Sequence, residues 1–119
     1  ATMSLGFIGD DRAIPKLNEL LNDNEPNIRW DSAVALAKMG VKTSIPIIEN
    51  LMNRDYLMTF PELDYKEIDK VIMTAIETST LIVDSTFEPS LIELAKNDQS
   101  LTVRDLAIKA LKKSYDKTI

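Results

Sequence analysis

Ser4-Leu5-Gly6-Phe7-Ile8-Gly9-Asp10-Asp11-Arg12-Ala13-Ile14-Pro15-Lys16-Leu17 is answered further on by Ala35-Leu36-Ala37-Lys38-Met39-Gly40-Val41-Lys42-Thr43-Ser44-Ile45-Pro46-Ile47-Ile48. Gly9 corresponds to Gly40, Ile14 to Ile45 and Pro15 to Pro46, each 31 positions on. Both copies read as the end of one helix, a glycine break, and a new helix with proline in its first turn. A unit repeated at this period cannot bury its apolar face alone and stacks on its neighbours, so the fold expected is an all-α superhelix of antiparallel helix pairs. Such solenoids build extended surfaces more readily than reaction centres.

The totals bound the rest. A chain of 119 residues holds one modest core, and 45% hydrophobic with 28% charged residues is ordinary for a globular domain. A net charge of −5 leaves no electrostatic footprint for nucleic acid or an anionic membrane. Cysteine and histidine are both absent, which removes thiolate and imidazole metal sites, thiol nucleophiles and the commonest general base. No tight transition-metal site and no cofactor are expected. No run approaches the roughly 18 consecutive apolar residues of a membrane span, and no basic-then-apolar signal segment opens the chain. A cytoplasmic protein is expected. Because Ala1-Thr2-Met3-Ser4-Leu5 reads as the last turns of a helix without its start, the chain is read as a fragment, and an upstream targeting sequence stays open.

Taken in order, residues 1–9 close a truncated repeat, with Gly9 as its stop and Asp10 or Asp11 capping the next helix. Residues 10–40 form the first whole repeat, with Ile14, Leu17, Leu20 and Leu21 as one apolar stripe, a turn at 23–27, and Pro26 opening a second helix that Gly40 ends. Residues 41–84 form the second, capped by Thr43 or Ser44. Its turn is enlarged: Asp23 to Ile28 is five positions, whereas the matching Asp55 to Ile68 is thirteen. The insertion falls at about 56–65. Ile68, Val71, Ile72, Ala75, Ile76, Ile82 and Val83 then follow the helical period. Residues 85–117 form the third repeat, capped by Ser85 or Thr86, with its last helix at about 101–115.

With these residues in view, the chain resembles HEAT repeats, in the short form of phycobilisome-lyase-type HEAT-like proteins. The pattern Ala-Leu-x-x-Ile-Gly, Ala-Ile-Pro-x-Leu, an aspartate turn, then Val-Arg and an alanine-rich helix fits residues 4–40 and 85–115. It fits 41–84 loosely. The resemblance implies that the pairs Asp23/Arg29 and Asp98/Arg104, each six apart, serve as a ladder tying adjacent turns, broken in the middle unit where Asp69 stands at the arginine position. It also brings enzymes into consideration. Di-iron hydroxylases of this fold need histidine, and HEAT-like DNA glycosylases a basic face, so neither suits this chain. A bilin-lyase-like chromophore-handling subunit stays open, as does a purely structural segment of a longer solenoid.

The reading preferred here is a non-enzymatic scaffold that binds a protein or peptide on the concave side, with no catalytic residue assigned. Second helices line that side, and the residues off their core stripes are Trp30, Val34 and Lys38, then Lys70, Thr74 and Glu77, then Asp105, Lys109 and Lys112. Trp30 has the chemistry of a binding anchor, though packing over a neighbouring helix would use it equally well. As an anchor, its truncation would weaken binding and leave stability intact; as core, the reverse. The insertion carries Tyr56, Phe60 and Tyr65, which form a binding loop at the rim or fold back over the enlarged turn.

Overall fold

The computed structural model describes residues 12–118, so the truncated repeat at 1–9, the Gly9 stop and the Asp10 or Asp11 cap lie outside the described residues. Among them, helix accounts for 71% and no strand occurs, as an all-α superhelix requires. The elements are α1 (Ala13–Leu20), α2 (Pro26–Lys38), a 3-10 turn (Lys42–Ser44), α3 (Ile45–Leu51), α4 (Arg54–Leu57), α5 (Tyr65–Ser79), α6 (Phe87–Asn97) and α7 (Leu101–Tyr115).

Local chemistry sets the helix ends. Gly40 has φ of +77°, and beyond it the Val41 amide returns to the Leu36 carbonyl at 2.9 Å. That left-handed turn suits a residue without Cβ. Pro26 opens α2, and Pro46 lies in the first turn of α3, where no intrahelical amide bond is lost. The Thr43/Ser44 cap does not form: Ser44 makes no capping bond, and its hydroxyl donates to the Val41 carbonyl at 2.9 Å. Nor does Ser85 or Thr86 cap α6. In the turn before it Asp84 accepts the Thr86 amide at 2.9 Å, and bonds from the Thr86 hydroxyl and amide hold its carboxyl below the usual carboxylate range. Helix α5 opens on a reciprocal capping box between Asp64 and Glu67. It ends at Ser79, so Val83 is not on the helical stripe and is exposed, while Ile82 is buried in the loop.

The helices form two layers. First helices α1, α3 and α6 pack on second helices, and α2, α5 and α7 pack in succession on one another. The shortest extent of the molecule, 19 Å, fits two layers of helices about 10 Å apart. Leu17 and Leu36 anchor a small core in the first unit, while Ile48, Leu51, Ile72, Ile76, Phe87, Leu91, Val103 and Leu111 belong to one larger core through the rest. Ser32, Ala33, Ala35 and Ala37 are all buried on α2, where small side chains let its neighbours approach from more than one direction.

At Gly40 nothing stands within 4 Å of where a Cβ would be, so the cost of a side chain there is purely conformational. Gly40→Ala should lower the free energy of unfolding by about 1 kcal/mol, and Gly40→Asn by less, since asparagine tolerates the left-handed region. Urea denaturation of the two variants, compared for midpoint at constant slope, checks the order.

Candidate functional site

Seven of the nine residues expected on the second-helix face are exposed there: Lys38 on α2, Lys70, Thr74 and Glu77 on α5, and Asp105, Lys109 and Lys112 on α7. Val34 is half-buried against the core. Trp30 is not on this face. It is only 7% exposed, and Phe60 from the enlarged turn meets it edge-on, ring centroids 5.2 Å apart at 86°. Tyr56 meets Phe60 in turn, at 5.3 Å and 75°. The eight-residue insertion therefore supplies a roof for Trp30, with edge-to-face contacts worth about 1 kcal/mol each beyond the area buried. Of the three insertion aromatics, Tyr56 and Phe60 fold back and only Tyr65 stays out in solvent, 66% exposed. The anchor reading of Trp30 is corrected accordingly.

The true exposed stripe of α2 is Asn27, Asp31 and Lys38, with Val34 between. Its spacing of four, three and four is legible in the sequence, since 100° per residue places Trp30 well round from Asp31. The basic end of the face is also muted. Lys109 pairs with Asp105 at 3.0 Å and Lys112 with Asp116 at 3.3 Å, both along exposed turns of α7.

The aspartate–arginine pairs take a different form from the expected ladder. Arg29 donates through Nη1 to the backbone carbonyl of Asp23 at 2.8 Å, and Arg104 donates through Nε to the carbonyl of Asp98. Each bond stays inside its own repeat. The carboxylates turn to their own loops, Asp23 accepting the Glu25 amide at 2.9 Å and Asp98 the Ser100 amide at 3.0 Å. A turn aspartate that binds an amide two residues on has oriented its own carbonyl toward the following helix.

The link between repeats comes from Arg54, which sequence reasoning missed. Its Nε and Nη2 grip the two oxygens of Asp98, each at 2.9 Å, and Nη2 also reaches Asp69 at 2.6 Å. The Arg54 and Asp98 side chains are 10% and 3% exposed. The Asp98 bond is the largest influence raising the guanidinium pKa, so it stays charged at any ordinary pH. Asp69 at the arginine position was the signal available: an inverted charge at a repeat position needs a cation from elsewhere. The middle unit is thus where the repeats are tied together, not where the tie is broken.

Beside this triad the layer of first helices opens. Helix α3 packs on α2 and α5, and α6 chiefly on α7, leaving a cleft of about 570 Å³ between the turn at Met52–Asp55 and α6 with its following turn. Ser90, Glu93, Asn97, Asp98 and Gln99 face Asn53, Arg54 and Asp55 across it. Among the charged groups lining it, one cation stands against three carboxylates.

Three variants separate core from surface. Trp30→Ala should cost roughly 3 kcal/mol of stability through the lost burial and the rings left unsupported. Arg54→Ala should cost about 2–3 kcal/mol because it strands the Asp98 carboxylate without its partner. Lys70→Ala, on the exposed face, should be nearly neutral. Chemical denaturation of all three establishes the ranking, and a Trp30→Ala protein as stable as its parent would contradict this packing.

Comparison with known proteins agrees with the architecture. Residues 1–57 match the family model for HEAT repeats, a span that runs through the first whole repeat and ends at the last residue of α4. No curated protein and no solved structure gives a significant match. HEAT repeats are in general protein-interaction scaffolds. The stacked helix pairs, the break at Gly40 and the match over residues 1–57, just under half of the chain, together identify HEAT repeats in this protein.

Proposed function

We propose that the chain is a non-enzymatic scaffold that holds a protein or peptide partner against its second-helix face. What supports this reading is that Lys38, Lys70, Thr74, Glu77, Asp105, Lys109 and Lys112 are all exposed, on three helices that pack in succession on one another. These residues are polar and of both signs, which favours an extended polar partner over a single apolar plug. With net charge −5, nucleic acid is disfavoured as the partner. Among the described residues no group of carboxylates is gathered as a metal site would require, and no helix is long and apolar enough to cross a membrane. The bilin-lyase-like alternative has no residue set here specific to a tetrapyrrole, and a structural segment of a longer solenoid would need no exposed binding face at all.

A photoreactive amino acid placed at Thr74 should cross-link the partner in cells, whereas the same group at Glu49 on α3 should not. Lys109→Glu should slow association and make it more sensitive to salt, with little change in stability. Cross-linking from Glu49 alone would overturn the face assignment. A visible absorbance change on adding a bilin would favour the chromophore-handling alternative.

A further inference from the structure

We propose that the cleft between the Met52–Asp55 turn and α6 is a second binding site, one that seats a basic peptide segment with its arginine or lysine side chain against Asp55 and Glu93. The cleft lies in the layer of first helices, so it is separate from the second-helix face and stands or falls independently of the scaffold proposal.

Three observations converge on it. The first is size: about 570 Å³ is within the range of pockets that enclose small ligands or a short stretch of peptide. The second is an open donor. Arg54 lines the cleft with its side chain only 10% exposed, and Nε and Nη2 are committed to Asp98 and Asp69, but Nη1 makes no hydrogen bond to any described residue. No buried side-chain nitrogen or oxygen among those residues lacks a partner, so Nη1 is reached by solvent. A guanidinium fixed by two carboxylates is a rigid donor, and a peptide carbonyl is the neutral acceptor that fits it. The third is charge. Asp98 spends its carboxylate on Arg54 and on its own turn, which leaves Asp55 and Glu93, both exposed, on opposite walls without a cationic partner among the described residues. Glu93 accepts only the Asn97 side-chain amide, at 3.1 Å.

These groups discriminate between cations. They are not gathered into a cluster that would hold a metal ion. An extended side chain carrying its charge several bonds from a backbone carbonyl can meet the carboxylates and the Nη1 donor together, whereas a simple polyamine satisfies only the carboxylates. Met52, Pro89 and Leu94 line the apolar part, against which the methylene stem of arginine or lysine packs.

The test is a titration of ¹⁵N-labelled protein with acetyl-Leu-Arg-Leu-amide, followed by NMR. Amide signals from residues 53–55 and 90–99 should shift, and those of α2 and α5 should not. Acetyl-Leu-Glu-Leu-amide should leave the spectrum unchanged. Asp55→Asn with Glu93→Gln removes both charges from exposed positions, and with the fold checked by circular dichroism it should weaken the arginine peptide about tenfold. Several results would sink the proposal: equal binding of the glutamate peptide, unchanged binding by the double variant, shifts confined to the second-helix face, or no shift up to the solubility of the peptide. Spermine binding as tightly as the arginine peptide would also overturn it, by showing that the carbonyl acceptor is not used. Variants of Lys70 and Lys109 should leave this titration unaltered, which keeps the two binding proposals separable.

Discussion

The junction between the second and third repeats depends on Arg54, whose guanidinium joins a carboxylate at the start of α5 to another in the turn before α7. Burying Asp98 without compensation would cost several kcal/mol. Here its two oxygens receive Arg54 side-on and the Ser100 amide, while its backbone carbonyl receives Arg104. One residue therefore shapes its own turn, orients the helix after it and closes the contact to the preceding repeat. The geometry is rigid because a planar fork meets a planar carboxylate, an arrangement a lysine could not reproduce.

The same junction explains why the first-helix layer is open at this point. After α3 the chain does not pass straight into its second helix; it forms α4, which carries Tyr56, and then a turn whose Phe60 covers Trp30. Phe60 and Tyr56 are thereby drawn toward α2 and the core, while Met52–Asp55 is left facing α6 across the cleft. Arg54 bridges beneath that gap. The insertion is in this sense architectural: it repairs the core around a large side chain on α2 and leaves a recess on the other layer.

The two surfaces differ in electrostatic character. Along α7 of the second-helix face, lysines are answered by aspartates one turn away, so the local field is weak and screened in salt. The cleft, lined by Arg54 against Asp55, Glu93 and Asp98, is unbalanced toward negative charge. A chain of this size can thus present one extended, nearly neutral surface and one compact acidic recess.

The sequence by itself determined the main helices, their order and the break at Gly40, but not the short α4, the end of α5 at Ser79 or the caps of α3 and α6. Those follow from local causes: the 3.6-residue period of Ile68, Ile72, Ala75 and Ile76, the positive φ that Gly40 accepts, and the first-turn prolines at 26 and 46. It also contained the polar stripe of Asn27, Asp31 and Lys38, though the appeal of a lone tryptophan obscured it. Only the tertiary structure decided what covers Trp30, which cation answers Asp69, and where the layers part. A helical wheel shows which faces a helix has but not which of them a distant segment will cover. Phe60 comes to Trp30 from an insertion with no counterpart in the first repeat, and Arg54 meets Asp98 across 44 positions of chain. Contacts of that range leave no periodic trace, because they depend on how the repeats stack rather than on the conformation of any one of them.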